Sequence, residues 1–264
     1  MVRIHRRDAY ISARPWLRLI ALLLALAVLA AACADQSGFP DPSDPVASTP
    51  WPDYELLRYD IIDQTDEMLG TVDFEIERQG DEYQIRILFL LTAGAVRDER
   101  ILRVRADTLE PLHYELLATD AENNRIEARG TYGVDDEGEP IVDTVVIENG
   151  KRDEKRVQTG QFAFDTDSSA WLWRSIAFAQ DHEVSYRSVN VRAQRSQLVR
   201  LRVVGQDLLS TPAGDILAWQ LEARPGLEQQ HIWFQVDRPN VLVRWDLQPR
   251  RYLLREIVTE RPSE

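Results

Sequence analysis

The sequence predicts a mostly β protein: a curved antiparallel sheet or half-barrel of about a dozen strands, with one principal helix covering or filling its concave side. Three observations lead there. After Tyr54, apolar residues recur at every second position through most of the chain, the period of a strand with one buried face. Short turn signals separate these runs, and strands joined by short turns pair antiparallel. Helical periodicity is clear only once, within residues 165–181. So many strands must curl or close, because long flat sheets are unusual and exposed edges invite aggregation.

The chain opens differently. Arg3, Arg6, Arg7, Arg14 and Arg18 precede an Ala- and Leu-rich run from Leu19 to Ala32. That run is shorter than the roughly 20 residues a helix needs to cross a bilayer. A basic start, a short apolar stretch and small residues at its exit read as a signal peptide over residues 1–32. The chain's one cysteine, Cys33, follows at once. Leu29-Ala30-Ala31-Ala32-Cys33 resembles the lipobox of bacterial lipoproteins, which implies a lipid on Cys33 as the new N-terminus. Ordinary Ala-x-Ala cleavage beside an incidental cysteine is the other reading. Residues 33–53 read as the lipidated Cys and a Pro-rich spacer, with five of the 13 prolines. Proline favours extended, semi-rigid chain, although plain disorder fits the same composition. One β-rich domain, 54–264, then completes the chain.

In this body Val72, Phe74 and Ile76 alternate with acidic residues, Gln79-Gly80-Asp81 turns, and Tyr83, Ile85 and Ile87 resume the period, which makes a β-hairpin. Ile101 and Val104 do not alternate cleanly; Leu112, Tyr114 and Leu116 do, after a turn at 107–111. Ile126 to Tyr132 forms another strand before the acidic turn 135–138, and the next strand ends at Asn149-Gly150. Asp167, Ser168 or Ser169 can cap the helix, whose apolar side holds Trp171, Leu172, Ile176 and Phe178. Alternation returns at Val184 and Tyr186, at Val189 and Val191, and at Val199, Leu201 and Val203. Pro212-Ala213-Gly214 turns into the strand of Ile216, Trp219, Leu221 and Ala223. A last hairpin bends at 238–240, with Val241, Val243 and Trp245 on its second arm, and residues 251–258 close the fold.

Several of these stretches resemble the bacterial envelope family known as domain of unknown function 3108. They are Thr211, Ala213 and Gly214 at a turn, Ile232, Trp233 and Phe234 in a strand, Asp237 and Pro239 before the last hairpin, and Gly70, Tyr83 and Asp107 to Pro111 upstream. At fold level that family resembles the periplasmic lipoprotein-localisation (Lol-type) factors. The resemblance implies a curved sheet around a helix with an apolar cavity. It carries no activity, since fold is not function.

Charge and motifs narrow the function. Residues 1–32 carry five Arg and one Asp; removing that +4 from the formal −13 leaves −17 for the rest. Such a body offers no basic surface for DNA or RNA, and anionic headgroups repel it, leaving the lipid as its hold on a membrane. His113, His182 and His231 are far apart, with no Cys partner for zinc. No Gly-x-Ser-x-Gly elbow or phosphate-cradling Gly loop occurs, so neither cofactor nor metal is expected, and no catalytic residue is nominated. Trp171, Leu172, Trp173, Ile176, Trp219 and Trp245 are the candidate lining of a cavity for a lipid or other apolar ligand; packed core is the plainer reading. Trp233 has the opposite parity to Ile232 and Phe234, so the sheet is apolar on both faces there. Three roles follow: a non-catalytic envelope protein binding a lipid or apolar ligand, an interaction module with a filled core and an acidic surface, and, last, an enzyme.

Overall fold

A computed structural model describes residues 40–261 apart from 93–95, 120, 121, 123, 227, 238 and 239. The signal segment, Cys33 and two residues of the last bend, Arg238 and Pro239, therefore lie outside the described residues. Fifteen strands form one sheet among the described residues. Eight come first: β1 (Tyr54–Ile62), β2 (Met68–Gln79), β3 (Glu82–Leu91), β4 (Val96–Arg105), β5 (Pro111–Thr119), β6 (Arg125–Val134), β7 (Pro140–Glu148) and β8 (Lys151–Gln158). A short β9 (Ala163–Asp165), a 3₁₀ turn (Thr166–Ser168) and the helix α1 (Ser169–Arg174) follow. The chain ends with β10 (Glu183–Asn190), β11 (Arg195–Thr211), β12 (Gly214–Pro225), β13 (Gln230–Gln235), β14 (Leu242–Leu247) and β15 (Arg250–Val258).

Each strand from β1 to β7 pairs with the next, and so does each from β9 to β14; β15 then pairs with β1 and joins the two arms. Pairing is antiparallel except between β9 and β10. The sheet is curved and open, as expected, with three strands more than the dozen read from alternation. Two of the extra strands have a simple cause. β8 is an edge strand, reading Lys-Arg-Asp-Glu-Lys-Arg-Val-Gln, with only Val157 buried, so it has no apolar period; the Asn149-Gly150 turn sets its register. β9 has three residues.

The edges of the two arms come near one another without a ladder. Lys155 Nζ on β8 donates to the Gln194 carbonyl at 3.0 Å, and Ser196 Oγ donates to the Thr159 carbonyl at 3.3 Å. On β6, a Cβ added at Gly130 would stand 2.7 Å from a Val191 methyl, so glycine lets the arms approach.

The core lines the inner face, with Leu57, Tyr59, Ile76, Ile85, Leu102 and Leu201 all at 1% exposure or less. The helix crosses this interior and is shorter than the periodicity predicts. Carbonyls at its C-terminal end and at its C-cap, Ser175, are already taken. Leu172 O accepts from the Ser175 amide at 3.1 Å and the Ser175 hydroxyl at 2.6 Å. Ser175 O accepts from the amides of Ala47 and Ser48 at 2.8 and 3.1 Å. Ile176 and Phe178 therefore lie beyond the helix. Ser168, one of the three expected caps, is the N-cap residue of the helix but makes no side-chain capping bond; Asp165 caps the 3₁₀ turn before it, its side chain accepting from the Asp167 amide at 2.8 Å.

Ala47 and Ser48 belong to the Pro-rich segment, and packing begins well before Tyr54. Ser43 N donates to Ser185 O at 2.9 Å, and Arg78 N donates to Asp53 O at 2.7 Å. Pro45 is buried, and Trp51, 5% exposed, joins the core. Residues 40–53 thus lie as a strap along the body.

A bulge resets the last hairpin. Trp233 pairs with Arg244 and Phe234 with Leu242, leaving Val243 as the extra residue. Leu242 and Trp245 turn inward, while Val243 turns outward to join Trp233 and Ala218 in a second small apolar cluster. The regular 241–243–245 alternation expected there is broken. The apolar outer face is covered by the molecule itself: the Arg244 guanidinium sits 4.8 Å over the Trp233 ring, and Trp233 Nε1 donates to Asp207 at 3.2 Å.

Candidate functional site: a two-sided hollow beside the helix

β1, β3 and β5 start, and β2 and β4 end, on one rim of the sheet; β3, β10 and β14 end, and β4, β11 and β15 start, on the other. Beneath the second rim lies a hollow of about 400 Å³. Its mouth is set by strand ends, among them Leu91, Val96, Asn190, Arg195, Leu247 and Arg250. Its inner wall is one stripe of the helical segment: Thr166, Ser169, Ala170 and Trp173, spaced as residues sharing a helix face must be.

One side of the hollow is aromatic. Phe74, Phe89, Tyr252, Trp245 and Trp173 form an unbroken series with ring centroids 6.4, 6.5, 5.5 and 5.4 Å apart in turn. Hydrogen bonds hold the two indoles: Trp173 Nε1 donates to the Tyr186 hydroxyl at 2.9 Å and Trp245 Nε1 to Gln230 Oε1 at 3.1 Å.

The other side is polar and charged. Asp98 and Arg100 occupy inward positions of β4, where Leu102 and Val104 further along the same face are apolar. Arg100 donates from Nε and Nη2 to the two Asp98 oxygens at 2.9 and 2.8 Å and from Nη1 to Asp167. Asp167 also accepts from the Tyr114 hydroxyl at 2.8 Å. Desolvation acts to lower the guanidinium pKa of Arg100, but Asp167 and Asp98 outweigh it and hold it well above its usual value. Its plane lies 4.8 Å from the Phe89 ring, so a cation–π contact joins the two sides.

Behind this triad, Asp165 is 1% exposed and accepts from Tyr132 Oη at 2.6 Å. Burial, and next the Asp167 carboxylate, push the Asp165 carboxyl up to about 8, against the hydrogen bonds from Tyr132 and the Asp167 amide. Burial also pushes the Tyr132 and Tyr114 phenols up, reinforced by the neighbouring carboxylates.

Of the six residues expected to line a cavity, Trp173 and Trp245 face this hollow. Trp171, Leu172 and Ile176 are buried in the core outside it, and half-buried Trp219 stacks on Phe178 at 6.3 Å. The histidines stand apart from the hollow: His113 faces Glu115 at 3.1 Å and His231 lies beside Gln220. Sequence reasoning missed Asp98 and Arg100. Their signal was present: the failure of β4 to alternate cleanly is produced by two charged residues at inward parity with Ile101 turned out. A second hollow of about 450 Å³ lies by the opposite rim, lined by Pro140 at the start of β7 and by Gly160 and Phe162 between β8 and β9. It has neither the aromatic series nor a buried charged cluster.

No helix among the described residues is long and apolar enough to cross a membrane. No curated protein matches the chain. Among solved structures, it is similar to a β-barrel-like protein of the domain of unknown function DUF1849 from Brucella abortus, with a TM-score of 0.51 and 11% identity over 77% of this chain and 96% of that one. That likeness concerns the fold alone. A Bacteroides fragilis protein with a YmcC-like fold aligns over 81% of this chain and 99% of its own, with a TM-score of 0.27 and 8% identity. The sequence profile of the protein family of unknown function DUF3108 matches residues 57–250, from the fourth residue of β1 to the first of β15, and the chain belongs to that family.

Proposed function

We propose that this is a non-catalytic envelope protein that holds a small apolar or amphiphilic ligand in the hollow beside its helix, tethered outside the cytoplasm by a lipid on Cys33. One observation carries the binding reading: a hollow of about 400 Å³ lies beside a series of five aromatic rings. That volume is in the range of small-molecule sites, and apolar walls with a few placed polar groups are their usual make-up. The tether rests on the sequence of residues 1–33. Two or more acyl chains are needed for stable anchoring, and the acidic body adds no attraction to anionic lipid.

Native mass spectrometry of the protein gently extracted from its own membranes tests the reading. The expected result is a non-covalent adduct of a few hundred daltons, lost or weakened in Trp245→Ala. A protein that is always empty and takes up no added amphiphile overturns it. The tether is read separately, by the mass of the N-terminal peptide: acylated in the wild type, with the protein released to the soluble fraction in Cys33→Ala.

A further inference from the structure

The polar side of the hollow narrows the ligand further, and this inference rests on the binding reading above. We infer that the hollow takes an uncharged, hydroxyl-bearing amphiphile, with its apolar body against the aromatic series and a hydroxyl against Asp98 and Asp167.

Charge decides against an ionised head at the inner end. Asp98, Arg100 and Asp167 together carry a net −1, and all three face the hollow. Arg100 spends Nε, Nη1 and Nη2 on those two carboxylates and covers the Phe89 face. An anionic head meets carboxylates whose counter-cation is already engaged. A cationic head meets that same guanidinium at close range. Either one also brings a further charge out of water to the inner end, where Asp98, Arg100 and Asp167 already pair with one another, which is costly.

A hydroxyl has neither difficulty. Each carboxylate oxygen has lone pairs beyond the one that Arg100 uses, and an O–H donated to a carboxylate is a strong, charge-assisted bond. The rest of the polar lining away from the mouth is neutral. Ser188, Asn190, Gln197 and Gln230 reach the hollow from β10, β11 and β13 and can both donate and accept. A purely apolar ligand is also disfavoured, because it would strip water from the triad and return no hydrogen bond. At the mouth, Arg195 and Glu228 are exposed and Arg250 is half-buried; water and salt weaken the effect of such charges on selectivity.

The test uses the whole chain from residue 33 onward, with Cys33→Ser so that no acyl group is attached. Three ten-carbon probes are titrated below their aggregation concentrations: monodecanoylglycerol, decanoate and decylammonium. Calorimetry reads the affinity. The expected result is monodecanoylglycerol binding at least tenfold more tightly than either charged probe. Asp98→Asn removes an acceptor and one negative charge, and should narrow or reverse the gap against decanoate. If that variant does not fold, the wild-type series decides alone. Equal or tighter binding of decanoate or decylammonium overturns the inference while leaving the binding reading intact. No binding of any probe removes both.

Discussion

Trp171 and Trp173 stand two residues apart on a six-residue helix, yet one is sealed in a filled interior and the other looks into a hollow. On the filled side the strap delivers Trp51, whose ring meets Trp171 at 5.5 Å and Tyr83 at 6.0 Å. Arg174 lies 4.7 Å from the Trp171 ring and 5.3 Å from that of Trp51, and it pairs with Glu55, both side chains being 0% exposed. On the hollow side, Phe89, Trp245 and Tyr252 meet no third layer. The same inward alternation therefore makes a core or a cavity according to what covers it. The strap covers one region, and nothing among the described residues plays that part in the other.

The largest expected effect breaks the filled side. Glu55→Ala leaves the Arg174 guanidinium buried without its carboxylate, and a loss of about 3–5 kcal/mol is expected from breaking such a pair. Denaturant unfolding measures it, and Arg174→Met combined with Glu55→Gln should recover part of the loss. The two tryptophans then sharpen the contrast. Trp171→Ala should cost about 3–4 kcal/mol, within the usual range for emptying a packed aromatic site. Trp173→Ala should cost about 2 kcal/mol, because one side of its ring already lacks packing partners, and it should weaken ligand binding, which Trp171→Ala need not.

A pH series probes the polar wall. Asp165 has a folded pKa raised from 3.8 to about 8, so the folded state binds more protons than the unfolded one between those values. Its contribution is fully present below about 3.8 and is lost as pH rises towards about 8. Unfolding free energy should therefore decline across that window, and Asp165→Asn should flatten the decline; an unchanged slope would refute the assignment. The smallest effect concerns the edge. The chain's only two lysines, Lys151 and Lys155, both stand on β8, where charge discourages strand addition. Lys151→Ile with Asp153→Ile should shift stability by no more than about 0.5 kcal/mol while raising aggregation, read by light scattering.

Much of the fold was legible because a sheet with one buried face writes its period directly into the chain. The hairpins at Gly80, Gly138 and Asn149-Gly150 stand where turn residues placed them. The losses are equally physical. β8 has no buried face to leave a pattern. The helix ends early because amides from residues 47 and 48, over a hundred positions away, take the carbonyl of Ser175, its C-cap residue. Val243 is turned outward by a bulge that no local propensity announces. At the hollow, aromatic content pointed to Trp173 and Trp245 but equally to Trp171 and Trp219, since all of them are apolar and inward by parity or helix face.

The amino-acid sequence by itself determined the fold class, the order of most strands and the family, because period, turn chemistry and short motifs are local. Tertiary structure alone decided which inward residues meet a partner and which meet empty space. That outcome depends on the strap, the helix and two distant strand sets converging, and no spacing along the chain encodes the distance between them.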